Sequence, residues 1–194
     1  ITIDLREILL KNRPQELYDV SAKGTVPVLQ INETTVIDES LDIMLWALES
    51  TGDMEWFSLQ KDLQTELIRR NDTEFKHWLD RYKYHKRYPE NTIDFYHNQC
   101  CLILSEYEKL LQNSSFLYGE KMCLSDAAIF PFVRQFAHMD LNGFEKVFPS
   151  ATRWLALIKQ SDLFLSVMDK YDVWSLETPA SIVNFNLKTP AILP

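Results

Sequence analysis

Lys23-Gly24-Thr25-Val26-Pro27-Val28-Leu29 and, further on, Ile37-Asp38-Glu39-Ser40 are the two stretches on which the reading of this chain turns. A proline entering a β-prone run cannot donate to a ladder, so a strand that holds it sits at an edge or a turn. The Val26-Pro27 bond is a candidate for the cis isomer, which makes a sharp bend. Such a bend leaves the N–H and C=O of Val26 outside their own sheet, where an extended peptide could pair with them by strand addition. Asp38-Glu39-Ser40 opens a helix whose free N–H groups and positive dipole end favour a carboxylate, with the Ser40 hydroxyl as a further donor. Glu39 can accept from an ammonium group. One short stretch thus offers partners to both ends of an α-amino acid. Both stretches also have ordinary uses, as a loop proline and as a helix cap.

Around these stretches the first fifty residues read as mixed α/β. Ile1-Thr2-Ile3-Asp4-Leu5 opens as a strand, and Pro14 to Val20 is a short helix with Pro in its first turn. Val26 to Ile31 and Thr34 to Ile37 are β-prone runs separated by Asn32-Glu33, as in a hairpin. Leu41, Met44, Leu45 and Leu48 recur at helical spacing, and Gly52 can cap the helix they make. After a linker over 51–60 the strand signals stop. Leu63, Leu67, Ile68, Phe75, Trp78, Leu79 and Tyr82 predict a long amphipathic helix with a bend near Asn71-Asp72. Ile93, Tyr96, Cys100, Ile103, Tyr107 and Leu110 predict a second, and Asp126 to Ala137 is apolar enough to be a buried central helix. Pro131 removes one backbone donor from it. Trp154, Leu155 and Ile158 mark another helix, and Leu163 to Met168 a short last one. The layout is α/β followed by all-α: 1–50, a linker, a helical part over 61–175, and a tail over 176–194 that its prolines make irregular.

Composition fits this layout. The chain has 194 residues, 46% hydrophobic and 25% charged, with only four Gly, which favours helix over a turn-rich β fold. A formal net charge of -8 argues against nucleic acid or an anionic membrane as a partner held by bulk electrostatics. No apolar run approaches the roughly 20 residues that span a bilayer. Cys100, Cys101 and Cys123 show neither CxxC nor zinc spacing, which predicts free thiols in a reducing, cytoplasmic setting and no metal. His77 and His85 also lack partners at metal-ligand spacing.

Taken together, Lys23–Leu29 and Ile37–Ser40 resemble the glutathione-binding half of the cytosolic glutathione transferase superfamily. The resemblance implies a thioredoxin-like N-terminal domain and a C-terminal helical domain. It gives Val26 and Pro27 the contact with the cysteinyl backbone of glutathione, and Glu39 and Ser40 the γ-glutamyl end. Lys11-Asn12-Arg13-Pro14 is similar to a Lys-Asn-Lys-Pro stretch of omega-like members, so Arg13 takes the place of a lysine that approaches the glycine carboxylate. Arg keeps that charge and adds a bidentate option. Met122-Cys123-Leu124-Ser125-Asp126-Ala127-Ala128 resembles the family's Ser/Thr-x-x-Asp capping box with Cys123 at the cap, which is expected to be a weaker cap. Phe130-Pro131-Phe132-Val133-Arg134-Gln135-Phe136 also looks like the bacterial omega-like transferases.

The implied function is glutathione conjugation to an electrophile, or glutathione-dependent thiol transfer on a disulfide, by a homodimeric detoxification enzyme without a metal. By the same resemblance Ile1 aligns with the family's second strand. The element that carries the catalytic Cys, Ser or Tyr is then expected upstream of Ile1, and no residue here is named catalytic. His77, Trp78 and Tyr82 fall where the family builds its hydrophobic-substrate pocket, although aromatic helix packing is their commoner use. Lys83, His85, Lys86 and Arg87 read as a solvated helix end. The alternative function is a non-catalytic protein-interaction module on the same fold.

Overall fold

The computed structural model describes residues 1–185. The chain divides into two compact units, Ile1–Asp53 together with the chain from Leu165, and Met54–Phe164.

Among the described residues the first unit holds four short strands and two helices, α1 and α2. β1 (Thr2–Asp4) is followed by a turn closed by Asn12 N–H to Leu9 C=O at 2.9 Å, which leads through Arg13 and Pro14 into α1 (Gln15–Val20). Pro14 stands at the N-cap of α1, with an extended backbone, rather than inside its first turn. β2 (Leu29–Gln30) and β3 (Val36–Ile37) form an antiparallel hairpin, with Leu29 opposite Ile37 and Gln30 opposite Val36. Both strands are shorter than the β-prone runs predict. Pro27 has no N–H to give to a ladder. At the other end the Asn32 side-chain oxygen accepts from the backbone of Thr34 and Thr35 at 3.0 and 2.9 Å, so the chain turns there. α2 (Ser40–Thr51) ends as expected at Gly52, which has φ +78°, with Asp53 N–H reaching back to Leu48 C=O.

The predicted irregular tail is corrected by β4 (Ile182–Asn184). It pairs antiparallel with β1, Ile3 opposite Val183, and Leu5 N–H and Phe185 N–H extend the ladder at 2.8 Å each. Trp174 N–H bonds Glu7 C=O, and the Arg6 guanidinium lies over the Trp174 ring. The chain therefore returns to the first unit from Leu165, ten residues before the predicted end of the helical part. Strand pairing across nearly the whole sequence leaves no local pattern to read. Pro190 and Pro194 lie outside the described residues.

The second unit is helical. α3 (Glu55–Ser58) occupies the predicted linker. α4 (Lys61–Arg70) and α5 (Lys76–Lys83) are joined by a π-helical turn over Asn71–Phe75, at the predicted place of the bend. α6 (Ile93–Leu111), α7 (Leu124–Ala137), α8 (Leu141–Val147) and α9 (Pro149–Gln160) follow, and α10 (Asp162–Ser166) runs across the boundary between the units. α7 continues through Pro131, whose ring faces solvent. Phe75, Leu104, Tyr107, Leu111, Ile129, Val133 and Trp154 are almost wholly buried. Each such side chain stabilises the unit by about 1.5–3 kcal/mol through loss of apolar surface from water.

Polar side chains close the gaps in this core. Buried Gln64 donates to the carbonyls of Trp56 and Leu59 and accepts from Ser125 N–H, which ties α4 to the first turn of α7. Glu108 accepts from Ser150 and Ala151 N–H at 2.9 and 2.8 Å, giving partners to the orphan donors at the start of α9. Asp126 is buried and its carboxylate takes four donors: Leu117 N–H, Cys123 N–H, Trp154 Nε1 and the Cys123 thiol, all between 2.8 and 3.0 Å. The thiol at the cap position thus serves as one of the donors to Asp126.

Candidate functional site

The loop between α1 and β2 is shaped by Gly24. Its φ is +58°, and a Cβ there would run into the Tyr18 ring, so α1 and the loop can approach only because the side chain is absent. Gly24 N–H bonds Ser21 C=O at 2.9 Å, and the chain then passes to Val26-Pro27, which is cis. Val26 is 45% exposed, and neither its N–H nor its C=O has a hydrogen-bond partner among the described residues.

At the start of α2 the N-cap residue is Glu39, with an extended backbone and no side-chain cap bond. The first helical bond accepts at Glu39 C=O from Ile43 N–H. The N–H groups of Ser40, Leu41 and Asp42 and the Ser40 hydroxyl have no partner among the described residues. Ordinary capping would have had Asp38, Glu39 or Ser40 fold back onto these donors. Instead Asp38 accepts from Ser21 Oγ at 3.1 Å, and Lys23 Nζ bridges Asp38 Oδ1 at 3.2 Å and Glu39 Oε1 at 2.7 Å. These bonds hold the loop before Val26 against Asp38 and Glu39 at the start of α2. The Lys23 ammonium, followed by the Ser21 hydroxyl, holds the Asp38 carboxyl below its usual range. Glu39 first and Asp38 second raise the Lys23 ammonium above its usual value.

Arg13 is exposed just before α1 and makes no hydrogen bond or ion pair with Val26, Pro27, Glu39 or Ser40 among the described residues. Lys23 was not singled out by sequence reasoning. Its sign, opposite to that of Asp38-Glu39, was the available signal, but the contact is made only by the fold.

In the second unit the His77 and Trp78 rings meet edge to face with centroids 4.6 Å apart, while Tyr82 packs on His97 and Phe136. The His77 ring nitrogen meets Arg81 Nη1 at 3.1 Å; burial, then the Arg81 charge, lowers its pKa. Trp78 packs on Phe95 and Tyr96. Tyr82 alone of the three lines a cavity of about 100 Å³ in this unit, with His97, Cys101, Phe136 and Phe144. That volume is small beside the several hundred Å³ of common ligand pockets. Burial pushes the Cys100 and Cys123 thiols up to about 12 and raises Cys101 too, so all three are thiols rather than thiolates at neutral pH. In the predicted basic cluster Lys83 donates to Gln135 at 2.7 Å, and Lys83 and Arg87 lie over the Tyr84 ring. Among the described residues no helix is long and apolar enough to cross a membrane.

Residues 2–50 match the family model for the glutathione S-transferase N-terminal domain. The structure is similar to a glutathione S-transferase from Actinobacillus pleuropneumoniae, with a TM-score of 0.65 and 21% identity over 79% of this chain and 72% of that one. The fold is that of a glutathione transferase. The transferase URE2P6 from Phanerochaete chrysosporium, solved in complex with oxidized glutathione, gives a TM-score of 0.67 at 18% identity over 79% of this chain and 76% of that chain. A glutathione S-transferase from Rhodospirillum rubrum gives 0.66 at 18% identity over 84% and 78%. No curated protein matches the chain. On the glutathione transferase fold, the part of the chain that matches the N-terminal domain is the part that carries Val26, Glu39 and Ser40.

Proposed function

We propose that the chain binds glutathione at the first unit, as a glutathione transferase. The observation that carries this reading is the uncapped start of α2, tied through Lys23 to the loop that leads into the unpaired backbone of Val26. The cysteinyl residue of glutathione pairs with the N–H and C=O of Val26 as a short added strand. The γ-glutamyl carboxylate takes the free N–H groups at the start of α2 and the Ser40 hydroxyl, where the helix dipole also favours negative charge. Glu39 accepts from the α-ammonium group, and Arg13 approaches the glycine carboxylate. The stretch Lys11–Pro14 supports an omega-like member, and homodimerisation and a cytoplasmic place follow from the same resemblance.

The chemistry is conjugation of glutathione to an electrophile, or thiol transfer through a mixed disulfide. Tyr82 with Trp78 and His77 is proposed as part of the electrophile's surroundings. No catalytic residue is assigned. Cys100, Cys101 and Cys123 are poor candidates for a reactive thiol because burial raises all three. The second reading on the same fold is a binding module that holds glutathione or a protein without turnover.

Titration calorimetry tests the site. Glutathione should bind at millimolar concentration or tighter, and Ser40→Ala should weaken it by about tenfold or more, the worth of a hydrogen bond to a charged group. Absence of binding, or indifference to Ser40→Ala, would contradict the proposal.

A further inference from the structure

The site proposed above contains a cation of its own. Lys23 Nζ sits 2.7 Å from Glu39 Oε1, where the reading above puts the α-ammonium group of glutathione. The same ammonium is 3.2 Å from Asp38 Oδ1. The two carboxylates differ in how they are held. Asp38 is 31% exposed and also accepts from Ser21 Oγ, so it stays in place without Lys23. Glu39 is 62% exposed, and Lys23 is its one side-chain partner among the described residues.

An exposed pair of this kind is weak, since water screens both charges and two flexible side chains must be ordered. A ligand ammonium with further contacts of its own can therefore displace Lys23 from Glu39. Lys23 can let go of Glu39 without losing its charge partner, because Asp38 remains.

We propose that Lys23 is a specificity-determining residue, a resident ammonium that occupies the Glu39 carboxylate, competes with a ligand's α-ammonium group for it, and so lowers the site's preference for ligands bearing a free α-amino group. The proposal rests on the reading that Glu39 and Ser40 take the γ-glutamyl end. A ligand without the amino group leaves the Lys23–Glu39 pair intact and has nothing to displace. Lys23 thus makes every amino-bearing ligand work against the ion pair, and makes the site sensitive to which cation Glu39 holds.

The test compares glutathione with its des-amino analogue, glutaryl-cysteinyl-glycine, by calorimetry at low ionic strength on the full chain and on Lys23→Met and Lys23→Arg. Loss of a positive charge near the ligand carboxylates weakens both ligands alike, so the readout is the ratio of the two affinities. Lys23→Met should raise the ratio in favour of glutathione by about two- to fivefold, the fold-change that corresponds to an exposed ion pair. Lys23→Arg should leave it near the wild-type value. Binding that depends on Ser40 while the ratio ignores Lys23→Met, or moves the other way, would overturn this proposal and leave the glutathione site standing. No measurable glutathione binding by the wild-type chain and by both variants would overturn the site and this proposal together.

Discussion

Asp126 and Lys23 show how far single residues carry the structure. Four donors converge on the Asp126 carboxylate inside the helical unit. Asp126→Ala would strand three buried N–H groups, each costing about 1–3 kcal/mol. A loss of about 3 kcal/mol or more is therefore expected in urea unfolding followed by tryptophan fluorescence. A change below 1 kcal/mol would mean that water or other groups take over. The position of Asp126 was legible from its place in the Cys123–Asp126 box. Its bonds to Leu117 and Trp154 were not, because those partners are set by packing between distant segments. At Asp38 the prediction concerns acid. Its pKa is lowered in the folded chain, chiefly by Lys23, so its ion pair contributes stability above the unfolded pKa and loses it as pH falls through the folded value. Lys23→Met should move the Asp38 pKa up toward the ordinary 3.8, as read by carboxyl carbon NMR. An unmoved value would mean that the pair does not form in solution.

Among the elements, α6 and α9 were legible because each buries one face, which imposes helical spacing on its apolar residues, and α7 because it is apolar nearly all round; α2, in which Leu48 alone is buried, was legible from the spacing of Leu41, Met44, Leu45 and Leu48 and from its Gly52 cap. α8 was not. Its seven residues bury only Phe144, too little for a period, and its one local sign is Asp140 accepting from Gly143 N–H. α3 is shorter still, and β4 depends on a partner strand at the other end of the sequence. The loop that presents Val26 makes its own prediction. Gly24→Ala puts a side chain at positive φ and against Tyr18, so about 1 kcal/mol or more of stability should be lost, with weaker glutathione binding. A variant with unchanged thermal midpoint and unchanged binding would show that the loop is free to rearrange. Glu108→Ala takes the partners from two N–H groups of α9 and should cost about 1–2 kcal/mol in the same unfolding assay.

At the scale of the whole molecule the α/β-then-helical order was readable from the change in periodicity near residue 50. The return of the chain to the first unit was not. Burial is unevenly shared. In the first unit only Ser21, Gly24 and Leu48 are buried among the described residues, whereas Met54–Phe164 holds the large apolar cluster. Local opening follows burial and protected hydrogen bonds. Amide exchange should therefore be slowest in α6, α7 and α9 and fast through Ile1–Asp53, and glutathione should slow exchange in the first unit alone. Equal protection in both units would contradict this distribution.

The central claim is that the backbone of Val26 and the start of α2 form one glutathione site, and an amide NMR titration tests it most directly. Adding glutathione to the labelled chain should shift Val26, Glu39, Ser40, Leu41 and Asp42 together, with one dissociation constant. Shifts confined to Met54–Phe164, or none up to millimolar glutathione, would contradict it.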